Sequence, residues 1–271
     1  EADLIFVVGG TDGGAVDSMQ KNLDTILLAY MLMDSQRHPP LLYAGNNALS
    51  KAIQQKGAEL GIKVLTADNV RPALDIEYLD GAQAQLASLY SEQKARSTAG
   101  FGELVAWTEE GVLPTAHSFG RMIHLLGGLR GGNVLGIDLG SMATTVAASI
   151  GSERFLNVFG QLGIGHGVQN VLEEIRLDNL TRWLSREPDA DEVLNYVWNK
   201  SVFPHTIPST FEELEIEYAL ARESIRHAAL SARQSWRCVS RRGLLPPFET
   251  ILLSGATLTG APGYGWSLLV A

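Results

Sequence analysis

Short apolar runs alternate with helix-period segments along the first third of the chain. The run from Asp3 to Val8 is apolar after its first residue, the pattern of a strand buried on both faces. It opens into Gly9-Gly10-Thr11-Asp12-Gly13-Gly14. Met19, Leu23, Ile26, Leu27 and Tyr30 then recur on one side of a helix. Residues 40–44 predict a second strand that leaves through Gly45-Asn46-Asn47, with Asn47 capping a helix through Ile53 to Leu60. Gly61 ends that helix, residues 62–66 form a third strand, 68–72 a loop, and 77–96 a further helix. Strands separated by helices predict a parallel sheet with helices on its faces.

The pattern changes after residue 97. Pro114 precedes a helix with Phe119, Met122, Ile123 and Leu126 on one face, and a glycine-rich turn at 127–132 follows. Val134–Ser149 reads as a strand, a tight glycine turn and a second, β-branched strand, and Arg154–Phe159 as a third antiparallel strand. Beyond Gly160–Gly167 come a helix from Val168 to about Leu184 and a short one at 193–197. A long helix over 211–236 follows, with Leu214, Tyr218, Ala221, Ile225, Ala228, Ala232 and Trp236 in phase. A buried strand at 248–253, a small-residue loop at 254–263 and a helix beginning near Tyr264 end the chain. The expected organisation is two α/β domains, 1–113 and 114–271, cut from something longer at both ends.

Composition narrows the function classes. The 271 residues are 45% hydrophobic and 19% charged, enough to build a sizeable core. A net charge of −9 without a basic run argues against nucleic acid or an anionic membrane as partner. The longest apolar stretch, Ile26–Met33, is too short to span a bilayer. The lone Cys238 rules out an internal disulfide framework and fits a reducing cytoplasm.

Three glycine-bearing turns carry the candidate chemistry. In the central hairpin, Asp138 ends the first strand and Gly140 lets the backbone come close to a ligand. Ser141, Thr144 and Thr145 can donate hydrogen bonds beside the turn N–H groups. That suits a phosphate, with Asp138 toward a metal or an attacking water. An ordinary hairpin has the same spacing. The turn Gly9–Gly14, between strand and helix, has the layout that receives an anion at a helix N-terminus. Its spacing is neither the dinucleotide fingerprint nor a Walker loop, and a purely structural turn is the alternative. The four glycines of 160–167 mark a close backbone approach, either to a ligand or to the sheet. His117 and His124 lack a third ligand at metal-site spacing, and Arg226, Arg233 and Arg237 read as a solvated face at a helix C-terminus.

The order of these motifs resembles the actin, Hsp70 and sugar-kinase ATPase superfamily: Asp-Leu-Gly-Ser with Thr144-Thr145, a glycine turn, then a distant strand ending in Ser254-Gly255-Ala256 and Pro262. Within it, the chain is similar to the family called MutL or GlmL (unrelated to the mismatch-repair protein), encoded beside coenzyme-B12-dependent glutamate mutase. The resemblance rests on Val7–Gly14, Tyr43–Asn46, Asn69–Pro72, Pro114-Thr115, Asp138–Gly140 and Leu162-Gly163. It implies an actin-like (RNase H-like) fold and a cytoplasmic accessory protein that binds ATP and Mg²⁺ and assists the mutase. Asp138 would act on metal and water. Gly140, Ser141, Thr144 and Thr145 would contact phosphate and Gly255, Ala256 and Pro262 adenosine; Gly163 and Gly165, and Gly10, Thr11, Asp12 and Gly13 of the signature turn, are further cofactor-binding candidates to which the resemblance assigns no finer role. The family's hairpin usually carries an acidic residue after Thr-Thr, where this chain has Val146, which puts hydrolysis in question. Two other functions fit the residues: a small-molecule kinase using Asp12, and a non-hydrolysing interaction protein.

Overall fold

The computed structural model describes residues 2–14, 16–108, 112–186, 189–236, 238 and 245–260. It is a mixed α/β structure with two separate sheets, and the chain divides into two compact units, Glu1–Leu113 and Pro114–Ala271. Among the described residues no helix is long and apolar enough to cross a membrane.

The first unit holds three short strands, β1 (Ile5–Val7), β2 (Leu41–Tyr43) and β3 (Val64–Thr66), all parallel and in that spatial order. Helices α1 (Val16–Leu32) and α2 (Ser50–Glu59) lie between them in sequence. Met19, Leu23, Leu27 and Tyr30 of α1 pack with Ile53 of α2 on Leu41 and Tyr43, which share one face of β2. Helices α3 (Asp80–Ser97) and α4 (Phe101–Ala106) complete the unit. The cap before α2 differs from expectation. Asn46, not Asn47, accepts the N–H of Ala48 (2.9 Å) over a single 3-10 turn, and α2 itself starts without a side-chain cap.

The second unit begins with α5 (Thr115–Arg130) and the meander β4 (Val134–Leu139), β5 (Thr144–Ile150) and β6 (Glu153–Phe159). Its other elements are α6 (Val168–Glu174), α7 (Leu177–Thr181), α8 (Ala190–Val202), α9 (Phe211–Arg233), β7 (Thr250–Ser254) and α10 (Ala256–Thr259). The sheet order is β6-β5-β4-β7, antiparallel except that β7 runs parallel to β4. Alternation along β4 gives each face its own helix. Leu135, Ile137 and Leu139, with Val146 and Ala148, pack on Leu220, Ile225 and Ala228 of α9. Val134 and Ala147 pack on Phe119 and Ile123 of α5. Each fully buried Leu or Ile contributes roughly 1.5–3 kcal/mol by leaving water.

Several sequence expectations shift. The helix predicted to run from Val168 to Leu184 breaks at Ile175-Arg176, where extended backbone separates α6 from α7 and Ile175 stays buried. Helix α8 is longer than its apolar core at 193–197 suggests. Met122 is exposed, because Phe119, Gly120, Ile123 and Gly127 form the packed face of α5. Arg226 is not simply a solvated charge. With Arg182 and the Trp183 indole it hydrogen-bonds the fully buried carboxylate of Glu223. Burial pushes that carboxyl up, but the bonds from Arg226, Trp183 and Arg182 outweigh it and hold the group below the usual range. Arg237, Pro262 and the helix expected from Tyr264 lie outside the described residues.

Candidate functional site

Because β7 lies parallel beside β4, the β4–β5 turn and the turn after β7 leave the same end of the sheet. The Gly140 N–H closes the first turn on the Ala143 carbonyl (3.0 Å), while the N–H groups of Ser141, Met142 and Ala143 make no backbone hydrogen bond among the described residues. Ser141 is exposed. Its Oγ accepts the His166 N–H (3.0 Å), which leaves the hydroxyl proton for another acceptor.

The glycine turn at 160–167 rests on this hairpin tip. The N–H groups of Gly165 and Gly167 donate to the Ser141 carbonyl (2.9 and 3.0 Å), and that of Ile164 to the Gly140 carbonyl (3.1 Å). A Cβ at Gly163 would stand 2.2 Å from the Met142 carbonyl carbon, and one at Gly165 would stand 2.1 Å from Ser141 Oγ. What the backbone approaches here is therefore the hairpin itself, and the space beside Gly163 is already filled by it. Thr144 is likewise internal: fully buried, it donates its hydroxyl to the Leu162 carbonyl (2.7 Å) and staples the two turns together. Thr145 is also buried.

Gly140, Ser141, Gly165, Gly255 and Ala256 come together as lining of one cavity of about 620 Å³ in the second unit. Thr144, Thr145, Gly163 and Asp138 do not line it. Asp138, half-buried at the last turn of β4, shares its register with Thr145 and Ser254. It belongs by alternation to the α5 face of the sheet, and the cavity opens on the α9 side, which provides Leu214, Glu217 and Tyr218. The Asp138 carboxylate makes no hydrogen bond or ion pair among the described residues. Val146 is fully buried under α9, between Ile137 and Asn157. The chain thus places a buried apolar side chain, not a carboxylate, at 146.

Sequence reasoning missed the polar wall of the cavity. Glu217 of α9 is buried and accepts from Lys200 Nζ (2.8 Å), the Tyr196 hydroxyl (2.5 Å) and Thr257 Oγ1 (2.8 Å). Lys200, also buried, gives a second bond to the Thr206 carbonyl (2.6 Å). A signal was present. Lys200 follows Val193 and Val197 on the inward stripe of α8, and Glu217 falls in phase with Leu214 and Ala221 on α9. A charge at a core position calls for a buried partner.

In the first unit the turn 9–14 is a hydrogen-bonded hub at the C-terminal ends of three parallel strands. Asp12 accepts from the Asn47 N–H (3.0 Å), the Asn47 amide (2.9 Å) and the Asn69 amide (2.9 Å). The Asn46 amide donates to the Thr11 carbonyl and the Asn69 amide to that of Gly10 (both 2.9 Å), and the Asp12 N–H donates to the Pro72 carbonyl (2.9 Å). Gly13 lies at the exposed crest. The Asn47 N–H and the Asn69 amide hold the Asp12 carboxyl below its ordinary value. A depressed carboxylate stabilises the fold above its unfolded pKa, and that contribution is lost as pH falls through the folded value. Urea unfolding should thus show Asp12→Ala less stable by about 1 kcal/mol at pH 7, water screening the exposed carboxylate. The deficit should shrink below about pH 4. Equal stability at pH 7 would remove Asp12 as the hub.

A family model described as MutL protein matches residues 1–264. A curated relative, Protein MutL of Clostridium tetanomorphum, is 24% identical over 242 residues, an alignment that covers 81% of this chain and 50% of the relative. The chain thus spans about half the length of the curated relative it matches.

Proposed function

Since this chain belongs to the MutL protein family, we propose that it is a nucleotide-binding accessory protein, an ATPase of actin-like fold that assists a coenzyme-B12-dependent mutase such as glutamate mutase. One observation carries the nucleotide part. The hairpin tip at Gly140-Ser141, the glycine turn at Gly165 and the post-β7 turn at Gly255-Ala256 are far apart in sequence yet line a single cavity. The N–H groups of Ser141, Met142 and Ala143, with the Ser141 hydroxyl, offer donors for phosphate oxygens. The mutase as partner comes from the family resemblance alone.

Mg²⁺ is ordinarily held by one or two carboxylates together with substrate phosphates and water, and Asp138 is a half-buried carboxylate without a partner among the described residues. Because Asp138 stands outside the cavity lining, it would hold the ion through water. When bound, the ion would neutralise charge on the phosphates. The chain's own part is to hold the phosphates on rigid turns. The bonds between hairpin and glycine turn, with the Thr144 staple, fix the donors before the ligand arrives. The kinase alternative would use Asp12, which Asn47 and Asn69 hold in place.

Calorimetric titration of Mg-ATP into the wild-type protein and into Asp138→Ala tests the reading. Wild type should bind, and the variant should bind at least about tenfold more weakly while keeping its circular dichroism spectrum. A folded wild type that takes up no heat at millimolar Mg-ATP would sink the nucleotide function.

A further inference from the structure

The cavity wall is mostly apolar, with Ile164, Ile207, Pro208 and Leu214, yet it contains a buried ion pair. Withdrawing two charges from water costs several kcal/mol per ion unless their remaining donors and acceptors are satisfied. Here they are, and the partners come from separate pieces of chain. One oxygen of Glu217 accepts from Thr257 in α10, two residues beyond Gly255. The other accepts from Tyr196 and Lys200 on α8. Lys200 then holds the carbonyl of Thr206, in the segment joining α8 to α9. Burial and the Glu217 charge push the Tyr196 phenol up, so it stays protonated and donates.

The same segment carries exposed apolar side chains. Phe203 is 56% and Ile207 82% exposed, and residues 204–208 also line the cavity. The series Gly255–Thr257, Glu217, Lys200, Thr206 is thus a continuous run of hydrogen bonds from the ligand-facing turn to a surface segment. Every link is a charge-assisted bond in a low-dielectric setting, where misplacing one partner leaves the next unsatisfied.

We infer that Glu217 is a positioning residue that couples the turn after β7 to the surface segment 203–209, so that nucleotide in the cavity stiffens that segment. This rests on the nucleotide reading above. A ligand seated against Gly255-Ala256 holds Thr257 in place, Thr257 holds Glu217, and Glu217 fixes Lys200 under the Thr206 carbonyl. The site's occupancy is then legible on an apolar surface loop, which suits a protein that reports its nucleotide state to a partner.

The test is hydrogen–deuterium exchange of residues 203–209 with and without saturating Mg-ATP. It is run on wild type, Thr257→Val and Thr257→Ser, with binding of each checked by calorimetry. Valine keeps the shape of threonine and removes the donor; serine keeps the donor. Nucleotide should slow exchange at 203–209 at least threefold in wild type and in Thr257→Ser, and leave it unchanged in nucleotide-saturated Thr257→Val. Protection that survives in Thr257→Val would be direct cover by the ligand and would overturn the coupling. So would wild-type binding without protection. No binding of Mg-ATP by the wild type would overturn the nucleotide reading, and the coupling with it.

Discussion

Gly255→Ala destabilises the second unit by about 3–5 kcal/mol. Two costs add. The residue sits at φ +115°, where an L side chain is strained by roughly 1–3 kcal/mol. The new Cβ would also stand 2.2 Å from the Leu139 carbonyl oxygen, a backbone atom that can move only by shifting β4, and such overpacking costs about 1–3 kcal/mol more. Calorimetry should show the transition of this unit falling by about 10 °C. Gly128→Ala is the control. That glycine lies in α5, and its Cβ would meet nothing within 4 Å, so alanine should be neutral or stabilise the helix by about 1 kcal/mol. Equal effects from the two substitutions would mean that the turn after β7 does not hold this backbone against β4.

Val146→Asp, which puts a carboxylate after Thr144-Thr145, should destabilise by about 4 kcal/mol or more. Val146 is fully buried, with Leu135, Ile137 and Leu220 in the same core. An unpaired carboxylate there loses its hydration without gaining a partner. Its folded-state pKa would lie above the unfolded value of about 3.9. The protonated form is thus favoured in the folded state. Even protonated, the unpaired polar group costs stability in an apolar core, and the penalty grows further as pH rises from the unfolded pKa to the raised folded one. Urea midpoints for the variant should therefore lie below wild type at pH 4 and further below it at pH 7.5. A variant as stable as wild type at pH 7.5 would show that this side chain reaches solvent, and would reopen the question of a metal ligand at 146.

Much of the second unit was legible because the side-chain period of a strand is two and that of a helix 3.6. The apolar run 134–139 and the β-branched run 144–150 can only be neighbours across so short a turn. The in-phase residues from Leu214 to Ala232 can only be one long helix with one buried stripe. The break at Ile175-Arg176 was not legible, since no Pro or Gly marks it and only packing of Ile175 decides it. Asn46 and Asn47 are equally good caps by residue type; which one caps depends on how the chain leaves β2.

The site divides along the same line. Residue types nominated Gly140 and Ser141, the family resemblance added Gly165, Gly255 and Ala256, and these five line the cavity. Residue types also nominated Thr144 and Thr145, and the resemblance Gly163, all three of which are packed between the two turns or buried beside them. A glycine that approaches a ligand and a glycine that approaches its own chain have the same sequence signature. Lys200 and Glu217 were passed over because charges on amphipathic helices usually face water. What the sequence determined by itself was local: strand and helix periods, turn chemistry and the candidate donors, each set by neighbours a few residues apart. What only the tertiary structure decided was which of those donors are already satisfied. The hydrogen-bond partners of Thr144, Asp12 and Glu217 lie 17 to 57 residues away along the chain, and burial, unlike periodicity, depends on everything that packs around a residue.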